Sequence, residues 1–192
     1  EPEKPPLSTN ISDSAMETLS VYLEGVRDST AMLEKLCDYF DSREEPILLV
    51  FYGDHRPALG QDYGVYRELG LMTGETDSSQ DILDTYKTPY LLWANKAYAP
   101  DCDFDSLELP ETISSNFLGA AVYELTGMTG TDPYFDTLEE LRRSLPVISH
   151  GVYVDGTGTV STETTDSQEE VLRRLAWWKY YRLKDEPLHQ GG

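Results

Sequence analysis

The sequence predicts an α/β fold, and three observations carry the prediction. Two apolar runs of strand length, at 47–52 and 89–94, each end abruptly at a polar or small residue. Around them, apolar residues recur at helical spacing. Near the end, residues 151–162 alternate about Asp155-Gly156-Thr157-Gly158, the pattern of a β-hairpin. Helices interleaved with buried strands define the class.

The elements follow in order. Residues 1–11 open with Glu1-Pro2-Glu3-Lys4-Pro5-Pro6, a Pro-rich charged lead expected to be extended or disordered. Ser12-Asp13-Ser14 offers a helix cap, and Met16, Leu19, Leu23, Val26, Met32, Leu33, Leu36 and Tyr39 keep helical spacing beyond it. Gly25 is expected to split this stretch into two helices, the second capped by Asp28-Ser29. A turn at 42–46 leads into strand 47–52 and then a loop carrying Asp54 and His55. Short helices are expected at 61–69 and 81–86, on either side of a polar loop. The run Pro89-Tyr90-Leu91-Leu92-Trp93-Ala94 has no polar interruption, so both faces of that strand are expected to be buried. Residues 98–111 form an acidic loop. Ile113-Ser114-Ser115-Asn116 caps a helix through Thr126 that Gly127 ends, and a helix at 133–145 is closed by Pro146. Thr165-Asp166-Ser167-Gln168 starts a last helix running to about Leu183, and 186–192 are a flexible tail. Two buried strands are few for a sheet in 192 residues. Further strands are expected upstream of Glu1, in a gene product that extends beyond it.

Composition narrows the function. Fifteen Lys and Arg stand against 35 Asp and Glu, a net charge of −20. So acidic a chain repels nucleic acid and anionic lipid head groups at long range, and an anionic substrate needs a metal or a local Arg to be held. No apolar run reaches the roughly 18–20 residues that cross a bilayer, and no signal-peptide pattern is present. Any anchor would lie outside this chain. Cys37 and Cys102 have neither CxxC spacing nor a neighbouring His, so they read as two free thiols, with a disulfide between them the alternative.

Chemistry concentrates in Gly53-Asp54-His55-Arg56-Pro57. A strand that delivers Asp and His to its carboxyl end supplies a hard anionic oxygen and an imidazole nitrogen, a set suited to manganese, zinc or a similar ion. Taken alone, the step fits equally a turn in which Asp54 caps and His55 packs. Arg56 reads either as a phosphate contact or as a surface salt bridge. Asn95 ends a strand on what would be the edge bearing Asp54, although a strand-end Asn is commonly a turn former. Ser114-Ser115-Asn116 is accounted for by an N-cap. His150 and His189 read as structural or exposed. The Trp177-Trp178 pair suggests a carbohydrate or membrane surface, but a helix with one face packed and the other partly exposed accounts for it more simply. The acidic run 101–111 lacks the Gly and terminal Glu of a calcium loop.

Four segments decide between these readings. Tyr22-Leu23-Glu24-Gly25-Val26-Arg27-Asp28-Ser29, Phe51-Tyr52-Gly53-Asp54-His55-Arg56-Pro57-Ala58-Leu59-Gly60, Thr88-Pro89-Tyr90-Leu91-Leu92-Trp93-Ala94-Asn95 and Ile113-Ser114-Ser115-Asn116-Phe117-Leu118-Gly119 come in a familiar order. Over about residues 20–185 the chain resembles the C-terminal part of bacterial sulfatase-like enzymes of the alkaline phosphatase superfamily. The nearest branch is the lipoteichoic-acid synthase and phosphoglycerol transferase group.

The resemblance implies the C-terminal portion of an alkaline-phosphatase-like three-layer sandwich, with a terminal hairpin and helix, over 12–185. It places two metal ligands on Asp54 and His55. The ion implied is manganese, with zinc, calcium and magnesium as alternatives. The substrate implied is an anionic phosphoglycerol or sulfate ester, which Arg56 would contact. The family's Thr nucleophile, its carboxylate ligand and its substrate-binding His lie before the Gly-Asp-His step, and residues 1–46 hold no match for them. No catalytic residue is therefore expected in this chain, which would be inactive alone and would partner the N-terminal half of the same protein. The whole enzyme is expected at the bacterial cell membrane, facing outward and tethered by upstream helices. A sulfuric ester hydrolase and a non-catalytic sulfatase-like binding module are the alternatives.

Overall fold

The structure, a computed structural model, describes residues 11–73 and 78–184. They divide into two compact units, one ending at Asp101 and the other beginning at Cys102. The helix-and-strand composition bears out the α/β expectation. The lead, the segment 74–77, the tail and His189 lie outside the described residues.

The first unit opens with α1, Asp13–Asp41, a single helix of 29 residues. Ser12 caps it, its hydroxyl accepting from the Ala15 N–H at 3.2 Å. Gly25 does not split the helix. A glycine inside a helix costs about 1 kcal/mol relative to Ala, too little to break a run this long. Ser29, expected as a second cap, instead donates its hydroxyl to the Gly25 carbonyl one turn earlier, at 2.9 Å. Ala15 and Leu19 of α1 pack with Val65 of α2, Gly64–Glu68, and Ser12 donates from both its backbone N–H and its hydroxyl to Glu68.

Strand β1, Leu48–Tyr52, pairs antiparallel with β2, Tyr90–Ala94, in the register Leu48↔Ala94 to Tyr52↔Tyr90. A one-turn 3₁₀ helix at Gln61–Tyr63 and the helix α3, Ser79–Tyr86, lie between them in sequence. The expectation that both strand faces are buried is corrected. Residues 48–51 and 90–93 are only half-buried, and Tyr52 is exposed. Among the described residues the sheet has two strands, so each has one neighbour and an open outer edge.

The second unit gathers helices around one core. Phe117, Ala120, Leu138, Leu141, Leu145, Val171 and Leu175 form its buried centre. They come from a 3₁₀ turn at Ser115–Phe117, α4 (Leu118–Leu125), α5 (Pro133–Ser144) and α6 (Asp166–Lys184). Gly127, at φ +68°, stops α4, and the Met128 N–H returns to the Tyr123 carbonyl at 3.0 Å. Thr165 and Gln168 form a reciprocal capping box at the start of α6. The expected hairpin is present as β4, Val152–Val154, and β5, Val160–Ser161. A strand the sequence reading missed, β3 at Val147–Ser149, pairs with β4 across a turn in which His150 and Gly151 both have positive φ.

Candidate functional site

The Gly-Asp-His step stands directly past the carboxyl end of β1. Gly53 is needed there for close approach, and its φ is not positive. Its N–H donates to the Pro89 carbonyl at 3.1 Å and its carbonyl accepts from the Thr88 hydroxyl at 2.9 Å, which extends the β1–β2 ladder by one residue. A Cβ at this position would sit 2.9 Å from the Thr88 Cβ. Gly53→Ala is therefore expected to cost about 1–3 kcal/mol, by overpacking and loss of this ladder step, and to displace the two residues that follow. Thermal melts and the crystallographic position of Asp54 check both effects.

Asp54 and His55 project together into solvent, with side chains 87% and 73% exposed. The Asp54 Oδ1 accepts the His55 backbone N–H at 2.8 Å, and this holds the carboxylate beside the ring. The other oxygen, Oδ2, lies 3.5 Å from His55 Nε2. Two donors on one zinc- or manganese-like ion, each bonded at about 2.0–2.2 Å, stand roughly 3–3.5 Å apart. The spacing, the exposure and the donor types thus fit one shared cation. The described residues supply these two donors and no cluster of three or more His, Cys, Asp or Glu. Past the pair, Leu59, Asp62 and Tyr63 hold left-handed backbone at φ +29°, +50° and +59°, a strained stretch between the site and α2.

Arg56 does not pair with a carboxylate among the described residues. Its guanidinium lies over the Tyr66 ring, 5.2 Å from the centroid. Burial pushes the Tyr66 phenol above its ordinary pKa, Tyr22 and Tyr63 add to the rise, and Arg56 opposes it. Tyr66 is consequently a neutral platform for the cation at physiological pH.

Asn95 stands at the wrong end for the site. Because β2 runs antiparallel to β1, its carboxyl end lies beside the start of β1, opposite Asp54. The side chain is fully buried and fully engaged. Its Oδ1 accepts from the N–H groups of Ile47 and Tyr98 at 3.0 and 3.1 Å, and its Nδ2 donates to the carbonyls of Phe40 and Glu45 at 3.0 and 2.9 Å. One amide thus ties the end of α1, the turn into β1 and the end of β2. Asn95→Ala is expected to destabilise the first unit by about 3 kcal/mol, since it orphans several buried backbone groups at once. Urea unfolding measures this.

Two further expectations change. Ser114 makes no side-chain cap. Its hydroxyl accepts from the Ile148 N–H at 2.7 Å and donates to the Ile148 carbonyl at 3.0 Å, imitating a strand neighbour for β3. Cys37 and Cys102 are not joined in a disulfide. Burial raises the Cys37 pKa, and Asp41 and Asp38 raise it further, so it stays protonated and is a poor metal ligand or nucleophile.

Residues 2–128 match the family model described as Sulfatase, and the chain belongs to the sulfatase family. A relative from Rhizobium meliloti (strain 1021), named "Putative cyclic beta-1,2-glucan modification protein", is 29% identical over 125 residues, 63% of this chain and 19% of its own length. The fold is similar to that of the Streptococcus pyogenes phosphoglycerol transferase GacH, solved in complex with sn-glycerol-1-phosphate. That likeness has a TM-score of 0.57 and 21% identity, over 97% of this chain and 42% of GacH. The chain therefore spans less than half the length of either protein.

Proposed function

We propose that this chain is the C-terminal part of a metal-dependent sulfatase-family enzyme that transfers phosphoglycerol groups in the bacterial cell envelope. The single observation that carries this reading is the Asp54–His55 pair, 3.5 Å apart and exposed past the end of β1 in a sulfatase-family chain. The fold likeness to a phosphoglycerol transferase favours a phosphate over a sulfate ester. Asp54 Oδ2 and His55 Nε2 would hold a divalent ion, manganese foremost, with zinc, calcium or magnesium as alternatives. Bound there, the ion would neutralise charge on a phosphoryl group and activate a hydroxyl nucleophile.

The chain's own residues do the positioning. The Asp54 carboxylate is set by the His55 N–H, and the pair is set by the Gly53–Thr88 contact. Arg56, held over Tyr66, faces an anionic ester as the fixed positive charge of the loop. The Thr nucleophile and the remaining carboxylate ligand belong to the preceding half of the enzyme, and the membrane tether does too.

The test is turnover by a protein extended upstream, given a phosphatidylglycerol analogue or an aryl sulfate with manganese. Release of glycerol phosphate to an acceptor supports the reading. Sulfate release without phosphoglycerol transfer would establish the sulfuric ester hydrolase, and no turnover of either would contradict the transferase reading.

A further inference from the structure

Arg43, Arg142, Arg143, Arg173, Arg174 and Arg182 each meet a carboxylate, as is expected where acids outnumber bases 35 to 15. Arg56 departs from that pattern. It directly follows His55, and among the described residues its guanidinium is held by an aromatic ring, that of Tyr66. A carboxylate would orient an arginine and cancel its charge in the same contact. A phenol is neutral at physiological pH. It orients the guanidinium through the ring face and leaves the charge and the planar N–H fork for another anion.

The platform is itself fixed. Tyr66 is 7% exposed and belongs to α2, whose Val65 packs on Ala15 and Leu19 of α1. The Tyr63 ring leans on it, centroids 6.2 Å apart and planes tilted by 41°. The loop between His55 and α2 is fastened to the same helix. The Val65 N–H donates to the Leu59 carbonyl at 3.2 Å, and the Arg67 guanidinium donates to the Asp62 carbonyl. α2 therefore carries the ring under Arg56 and also ties down the strained backbone at 59–63, so Arg56 is referenced to a packed element. A long side chain loses rotamer freedom when it meets a ligand, and a contact already made in the free protein lowers that cost.

We infer that Tyr66 is a positioning residue for anion capture: its ring holds the Arg56 guanidinium, next in the chain after the Asp54–His55 pair, ready for the phosphoryl oxygens of a phosphoester. The inference rests on the phosphoester reading above, and it gives Tyr66 itself no contact with the substrate.

Two measurements test it. In the 192-residue chain, nuclear magnetic resonance reads the contact itself. The Arg56 Nε–H signal is expected to be moved upfield by the ring, to stay so in Tyr66→Phe and to return to the ordinary arginine position in Tyr66→Leu. In the upstream-extended enzyme loaded with manganese, calorimetry reads anion capture with glycerol phosphate as the probe. Arg56→Gln is expected to weaken binding by about tenfold. Tyr66→Leu is expected to weaken it by about three- to fivefold, the scale of a cation–π contact, and Tyr66→Phe, which keeps the ring, by less than about twofold. In the Arg56→Gln background Tyr66→Leu is expected to add nothing, because its effect runs through the guanidinium. Manganese affinity of the Tyr66 variants is expected to stay that of the parent.

An Arg56 signal at the ordinary position in the parent chain overturns the proposal, and so does full probe affinity in Arg56→Gln. Neither measurement alters the buried ring. Equal weakening by Tyr66→Phe and Tyr66→Leu overturns it as well, as does a Tyr66→Leu effect of the same size with and without Arg56, which marks a role in packing alone. Absence of probe binding by the parent enzyme overturns it too. Turnover separates this inference from the transferase reading: an enzyme that shows the Arg56–Tyr66 coupling toward the probe but transfers no phosphoglycerol loses that reading and keeps Tyr66 in its role.

Discussion

Asp54→Ala, made in the enzyme extended upstream, is expected to lower divalent-metal affinity by about 100-fold or more and to abolish transfer at ordinary metal concentrations. The substitution removes the anionic oxygen of the pair and also the acceptor that fixes the His55 backbone N–H. It should leave stability nearly unchanged, because a side chain 87% exposed contributes little to packing. Asp54→Asn separates the two losses. The amide oxygen still accepts the His55 N–H, so local geometry persists while the charge is gone. Its metal affinity should fall nearly as far as that of the Ala variant. His55→Ala should weaken binding less, since a carboxylate neutralises a dication and a neutral imidazole does not. Calorimetric manganese titration, paired with thermal melts, checks all three variants.

Arg142→Ala is expected to have the largest effect on stability. Arg142 is 1% exposed. Its guanidinium donates to Glu139 at 2.9 and 2.5 Å, to Glu124 at 3.1 Å and to the Glu108 carbonyl at 2.6 Å. It anchors the acidic loop and α4 to α5. Truncation leaves two carboxylates facing one another in a partly buried site, a loss of about 3–5 kcal/mol. Arg142→Lys keeps the charge without the planar fork and should fall between.

The effect has a pH signature. Burial, the Glu139 charge and a hydrogen bond that the protonated Glu124 donates to Glu139 raise the Glu124 pKa, while Arg142 and Arg143 oppose the rise. A carboxyl with its folded pKa above its ordinary 4.5 binds more protons folded than unfolded in that interval. Its contribution to stability therefore declines as pH rises from 4.5 through the folded pKa. Glu124→Gln should remove that decline, and the Arg142→Ala deficit should shrink in acid as the carboxylates protonate. Urea unfolding across mildly acidic to neutral pH reads both.

What the sequence disclosed and what it withheld divide by range. Local chemistry was legible: the Ser12 cap, the Gly127 stop, the Asp155 turn and the Gly-Asp-His step each depend on residues close in sequence. Pairing direction was not, since an unbroken apolar run fits a parallel or an antiparallel strand equally. That ambiguity put Asn95 on the edge of Asp54, when antiparallel pairing carries it to the far end as a structural tie. Ser114 carried every sign of a cap, and only its distance to Ile148 shows it serving a strand instead. β3 is three residues long, directly after Pro146, too short for periodicity to register. Arg142 looked like an ordinary charge on an amphipathic helix. Its burial depends on Glu108 and Glu124, residues 34 and 18 positions away.

The position of the Gly-Asp-His pair was legible, but the reason for its glycine was not. Thr88 is 35 residues downstream, and the contact that excludes a side chain at position 53 exists only once β1 and β2 are paired.

Anomalous diffraction at the manganese edge, from crystals of the upstream-extended enzyme grown with the metal, bears most directly on the site. The expected result is a single strong peak within about 2.0–2.2 Å of both Asp54 Oδ2 and His55 Nε2, its shell completed by residues from the preceding half. A manganese peak elsewhere in the catalytic domain, with Asp54 and His55 left to solvent, would contradict the assignment.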